Sequence, residues 1–264
     1  MDLQLGNKVA LISGGSKGIG FSTARAFAKE GCNLAICSRN EAEVREAKEE
    51  LEEFGVRVIA VQADVCQPES TEAFVEQSAK EFGRIDFLVN NVGGGIGGST
   101  VLSTTDDDWI STFQLNLFQV IRLTRLVVPY VSSSKGGAIV NVSSISGWLP
   151  QLSGSPQYGA AKAALIFLTE RIALELVGCN IRVNTVSPSS IQNTRGWDQF
   201  KHQNPESFAN YVKNGFPMGR LGYPEEIADV IVYLCSPRAN WINGRHIPVD
   251  GLEQPVPVAE RRPW

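Results

Sequence analysis

Val9-Ala10-Leu11-Ile12-Ser13-Gly14-Gly15-Ser16-Lys17-Gly18-Ile19-Gly20 is the stretch on which the reading of the fold turns. The apolar run Val9–Ile12 predicts a buried strand, and the residues after it predict a glycine-rich turn that opens a helix. Such a turn presents backbone amides at a helix N-terminus, where the helix dipole favours an anion. Glycine is needed where a Cβ would block that approach or where the dihedrals are left-handed. The spacing G-x-x-x-G-x-G is a variant of the dinucleotide-binding fingerprint. Gly14, Ser16, Lys17, Gly18, Ile19 and Gly20 are therefore the candidate phosphate cradle.

Outward from this turn, apolar runs alternate with helical patterns to the end of the chain. Strands are expected at Lys8–Ile12, Asn33–Cys37, Arg57–Val61, Ile85–Val89, Ala138–Val142, Ile181–Val186 and His246–Val249. Helices are expected near 18–30, 41–54, 69–82, 106–131, 157–177 and 224–236. This alternation predicts an α/β fold, one doubly wound Rossmann domain over 1–264 with a mostly parallel sheet of about seven strands and helices on both faces. The cofactor half is expected over 1–145 and the catalytic and substrate half over 138–252. The pattern breaks at 188–223, where turn residues mix with Trp197, Phe200, Phe208 and Phe216; an irregular aromatic insertion there is expected to be a substrate lid. Trp148, Leu149, Trp197 and Phe200 are the candidate substrate contacts. The proline-bearing tail, 253–264, is expected to be extended.

A chain of 264 residues, 43% hydrophobic and 20% charged, is ample for one large core, and a net charge of -4 gives no reason to expect a nucleic-acid partner. The five cysteines are scattered and form no C-x-x-C pair, which suits a reducing compartment. Two distant histidines make a histidine-based metal site improbable. No apolar run approaches the ~20 residues of a membrane span. A cytoplasmic protein without metal or membrane contact is expected.

Tyr158 and Lys162 stand four apart at the start of a helix, on one face. That helix continues through Ala160, Ala161, Ala163, Ala164, Leu165, Ile166, Phe167 and Leu168, apolar around its circumference and hence buried on more than one side. A lysine in its first turn needs a partner, because desolvating a lone ammonium is costly. A phenol beside an ammonium has the ingredients of a general acid/base. Ser143, Ser144 and Ser146, after the strand Ala138–Val142, offer a hydroxyl to hold a substrate oxygen.

With these residues in place, the chain resembles the short-chain dehydrogenase/reductase family over nearly its full length. Ser13 stands where the family's glycine motif begins with Thr. Asn90-Asn91-Val92-Gly93 matches the family's N-N-A-G segment, and Asn116 its helix-four asparagine. Ser144, followed by Gly147, fits the S-x-x-G context, and Tyr158-Gly159-Ala160-Ala161-Lys162 is the Y-x-x-x-K motif. Asp64-Val65 fits the pair that contacts adenine. The resemblance implies that Tyr158 exchanges a proton with the substrate oxygen, and that Lys162 binds the nicotinamide ribose and depresses the tyrosine pKa. It implies that Ser144 orients the substrate and that Asn116 supports the lysine through a water and a local helix irregularity. Asn91, Val92 and Gly93 join the cofactor site. The chain departs from the family at Pro188-Ser189-Ser190-Ile191-Gln192-Asn193-Thr194, where P-G-x-I-x-T is common. Pro188, Ser189 and Ile191 are cofactor candidates there, with Asn193 or Thr194 at the carboxamide. A second departure is Val249-Asp250-Gly251-Leu252 for V-D-G-G.

An acid about 20 residues beyond the glycine motif holds the ribose 2′-hydroxyl of NAD, whereas an Arg accommodates a 2′-phosphate. Ser38 occupies that position and Arg39 follows, with Lys17 a second cation, so NADP is the expected cofactor. The expected activity is reversible hydride transfer between NADPH and a ketone or secondary alcohol, with an apolar or ring-bearing substrate. The alternatives are a 3-oxoacyl-thioester reductase and a non-catalytic NADP-binding scaffold. Apolar surplus on the helices at 106–131 and 157–177 predicts a homodimer or homotetramer.

Overall fold

Seven strands form one parallel sheet: β1 Val9–Ser13, β2 Asn33–Ser38, β3 Val58–Gln62, β4 Phe87–Asn90, β5 Gly137–Val142, β6 Ile181–Pro188 and β7 His246–Val249. Their order is β3-β2-β1-β4-β5-β6-β7. This computed structural model describes residues 1–133, 136–150, 154–194, 197 and 201–253. The helices between the strands are α1 Gly18–Lys29, α2 Glu41–Glu52, α3 Pro68–Phe82, α4 Asp106–Phe113, α5 Gln119–Ser133, α6 Pro156–Leu176, α7 Pro205–Gly215 and α8 Pro224–Cys235.

Successive strand residues point to opposite faces, so a run apolar at every position feeds two cores at once. Ala10, Ile12, Leu34, Ile36 and Val140 pack with Phe27 of α1, Val44 and Leu51 of α2, and Ile231 of α8. Leu11, Ala35, Cys37 and Ile139 pack on the other face with Phe74 of α3, Leu123 and Val127 of α5, and Ile172 of α6. The order reverses between β1 and β4, so their crossovers diverge and leave a crevice beyond the carboxyl ends of the strands. The register Ser13↔Asn90 and Asn90↔Asn141 brings three strand ends to one level at that crevice.

Most strands run one or two residues further than their apolar runs predict, because pairing continues into Ser13, Ser38, Gln62, Asn90 and Ser187. Apolar character stops earlier than the ladder at these ends. The helix expected over 106–131 is two helices joined by a turn of π-helix at Gln114–Phe118. The 188–223 insertion is less irregular than expected, since α7 begins on Pro205 in its first turn and runs eleven residues. Phe200 and the tail from residue 254 lie outside the described residues. Among the described residues no helix is long and apolar enough to cross a membrane.

Candidate active site

Ser13 and Asn91 tie the glycine turn to the end of β4. Ser13 Oγ accepts from the amides of Asn91 (3.0 Å) and Val92 (3.3 Å), while Asn91 Nδ2 donates to the carbonyls of Ser13 and Gly14, both at 3.1 Å. Gly14 has φ 69°, and a Cβ on it would lie 2.9 Å from Val92 Cγ2. A Cβ on Gly20 would lie 2.0 Å from the Gly14 carbonyl, so Gly20 lets α1 press onto the turn. No side chain caps α1 at Lys17, which leaves its first amides to whatever enters the crevice.

The crevice is a cavity of about 1100 Å³. Its walls are the cradle residues Gly14, Lys17, Gly18 and Ile19, the rim Ser38 and Arg39, then Asp64 and Val65, then Asn91, Val92 and Gly93. Ser144, Tyr158 and Lys162 close its inner end, with Pro188, Ser189, Ile191, Asn193 and Thr194 opposite. Uncapped amides, a glycine-rich turn and two cations at the rim suit an elongated anionic dinucleotide. Ser16 and Gly20 do not line the cavity, and Gly20 is buried structural packing.

At the inner end, the Ser144 hydroxyl, which accepts from the Ser146 amide at 3.2 Å, stands near enough to the Tyr158 phenol to favour its ionised form. Lys162 is buried at 2% exposure and donates from Nζ to the Val142 carbonyl at 2.8 Å; its ammonium lies 5.6 Å from the Tyr158 ring centre. The Ser143 hydroxyl is taken by the Lys162 carbonyl at 3.0 Å, which separates it from Ser144. Asn116 sits in the π-turn. Its Nδ2 donates to the carbonyls of Gly94 (2.7 Å) and Thr112 (2.8 Å), and its Oδ1 accepts from the Gly94 amide at 3.0 Å. A Cβ on Gly93 would stand 2.7 Å from Asn116 Oδ1 and 2.8 Å from Lys162 Nζ, so a side chain there would displace one of these two groups.

Burial pushes the Lys162 ammonium down to about 7. Burial also pushes the Tyr158 phenol up, against the smaller opposing effect of the nearby Ser144 hydroxyl. The resemblance implies a phenol depressed by the lysine. Here the leading cause at both groups is desolvation, which disfavours phenolate and ammonium alike.

Trp148 and Leu149 are not brought to the cavity. Trp148 packs edge-on against His246, with ring centres 6.1 Å apart, and Leu149 closes a short turn through its amide bond to Ile145. Trp197 does line the cavity and stacks on Tyr211 of α7 at 5.1 Å.

Two features escape a reading of the sequence. Glu43 lines the cavity and holds Lys17 Nζ at 2.9 Å. Its signal was an acid three residues after Asn40, whose side chain caps α2 by accepting from the Glu43 amide. Glu253 is buried at 2% exposure and accepts from the Ser190 amide (2.9 Å), the Ser190 hydroxyl (3.2 Å) and the Tyr211 hydroxyl (2.6 Å). No local pattern announces a bond that spans 63 residues. Leu252, at φ 61°, turns the chain so that Glu253 faces inward.

A doubly wound parallel sheet with a glycine cradle at its switch point and a Ser-Tyr-Lys cluster beside it defines a dinucleotide-binding oxidoreductase fold. A family model described as enoyl-(acyl carrier protein) reductase matches residues 14–251. The 3-oxoacyl-[acyl-carrier-protein] reductase of Thermotoga maritima is 34% identical, over 94% of this chain and 98% of that protein. Meso-2,3-butanediol dehydrogenase of Serratia marcescens is also 34% identical, over 94% and 95%. The L-sorbose reductase of Gluconobacter frateurii, solved with NADPH and L-sorbose, superimposes with a TM-score of 0.89 at 36% identity, over 95% of this chain and 98% of that one. The chain belongs to the short-chain dehydrogenase/reductase family, whose members are oxidoreductases.

Proposed function

We propose that the protein is an NADP-dependent oxidoreductase that interconverts a ketone and a secondary alcohol. One observation carries this reading: Ser144, Tyr158 and the buried Lys162 ammonium share a single cavity with the glycine cradle. Tyr158 delivers a proton to the substrate oxygen in reduction and takes it back in oxidation. Its raised pKa keeps that proton in place at neutral pH, which suits the donor. Ser144 holds the same oxygen and stabilises charge developing on it. Lys162 reaches the ribose, and Asn116 fixes the Gly94 backbone beside it. Thr194 donates its hydroxyl to the Ile191 carbonyl at 2.7 Å, which leaves its oxygen free only to accept, so the carboxamide falls to the Ile191 backbone with Asn193 or Thr194. Asp64 and Val65 take the adenine end. When bound, the nicotinamide supplies or accepts the hydride.

NADP follows from Lys17 and Arg39 at the rim and from Ser38 where an acid would hold a ribose hydroxyl. The NADPH complex of the sorbose reductase supports the same choice. Exposed apolar side chains on α6 (Phe167, Leu174) and around α4 (Ile110, Phe118) support self-association. A second reading, reduction of a 3-oxoacyl thioester, is favoured by the Thermotoga relative. The segment Leu176–Asn180, which ends the Tyr158 helix, carries no cation for an acidic carrier protein. Purified protein assayed with NADPH against ketones, diketones, quinones and 3-oxoacyl thioesters decides between them. Turnover of free ketones above thioesters is the expected result; the reverse order selects the second reading, and no turnover of any carbonyl refutes both.

A further inference from the structure

We propose that Glu43 is a specificity-determining residue that narrows the preference for NADP over NAD by occupying Lys17. This rests on the cofactor reading above and adds an opposing charge to it.

The rim that faces the adenine ribose holds two cations, and the structure treats them differently. Arg39 is exposed at the end of β2 and, among the described residues, forms no ion pair. Lys17, in the glycine turn, has its ammonium 2.9 Å from Glu43 Oε1. The pair spans two elements: Lys17 precedes α1, and Glu43 sits in the first turn of α2. Asn40 caps that helix through the Glu43 amide and fixes where the carboxylate emerges. Ser38 Oγ accepts from the Asn40 amide at 3.3 Å, so the short β2–α2 link is tied at both ends. Glu43, Lys17, Ser38 and Arg39 all line the same cavity.

A 2′-phosphate entering between Lys17 and Arg39 competes with the Glu43 carboxylate for Lys17 and meets its charge. A 2′-hydroxyl meets no such penalty, and a carboxylate accepts its hydrogen bond. Glu43 thus works against the two cations, in a place where the last residue of β2, Ser38, carries no charge.

The test is binding, which needs no substrate. NADPH and NADH are titrated calorimetrically against the wild type, Glu43→Gln, Lys17→Gln and the double variant. Glu43→Gln is expected to tighten NADPH by about three- to tenfold while NADH binding holds or weakens. In the Lys17→Gln background the gain from Glu43→Gln is expected to shrink. An unchanged NADPH-to-NADH affinity ratio in Glu43→Gln overturns the proposal, and so does an undiminished gain without Lys17. Wild-type protein that binds NADH more tightly than NADPH would refute the cofactor reading alone, since the shift caused by Glu43→Gln is read from a ratio and stands on either background.

Discussion

Lys162 and Lys17 lie at opposite ends of one cavity, and the same side chain is used there in two ways. Lys162, at 2% exposure, rests on the Val142 carbonyl, and burial alone brings its ammonium down to about 7. Lys17, with its side chain 69% exposed, is paired with Glu43. Desolvation makes the inner lysine sensitive to protons, while solvent screening makes the outer one a modest, salt-dependent attractor. The inner end is built to handle a proton, and the rim to select an anion.

The inner end can be broken most severely at Tyr158. Tyr158→Phe keeps the ring and removes the proton, so turnover should fall by about a thousandfold while NADPH binding persists. A variant with near-normal turnover would move the proton donor elsewhere. At the rim, Ser38→Asp combined with Arg39→Ile should invert cofactor preference, changing the NADPH-to-NADH affinity ratio by about tenfold or more. Direct titration of both cofactors checks this, and a ratio that stays above one would show that the rim does not read the phosphate.

Lys162→Met sharpens the comparison through pH. Because the folded pKa of about 7 lies below the unfolded value near ~10.4, the unfolded chain binds more protons between these limits. Stability from this group therefore rises with pH across that window, and its deficit is complete below pH 7. Denaturant unfolding of wild type and Lys162→Met between pH 7 and 9 should show the rise in the wild type and a flatter profile in the variant. Parallel profiles would mean that Lys162 is solvated in solution. The smallest effect is expected at Trp197. If it closes the substrate end, Trp197→Ala should raise KM for bulky ketones a few-fold more than for small ones, with NADPH affinity and sedimentation unchanged. A changed sedimentation profile with no size dependence would place Trp197 in a subunit contact instead.

The alternation of strand and helix, the glycine turn and the Tyr158–Lys162 pair were legible because each is local: periodicity, a turn that needs glycine, two residues one helical turn apart. The π-turn around Asn116 was implied by resemblance and has no signature in periodicity, since Asp106 to Val131 reads as one amphipathic run. Trp148 and Trp197 read alike as exposed aromatics near the site. Only the packing of Trp148 on His246 and of Trp197 on Tyr211 separates them.

The amino-acid sequence by itself determined the doubly wound sheet, the end of it that holds the site, and the side chains available for proton transfer. Tertiary structure decided how those side chains behave. Burial set the Lys162 and Tyr158 pKa values against the direction their adjacency suggests. Folding also laid Glu43 on Lys17 and Glu253 on Ser190 and Tyr211, pairs whose members belong to different elements. Charge and desolvation act through space, so a group's protonation and its partner are fixed only when distant segments have been brought together.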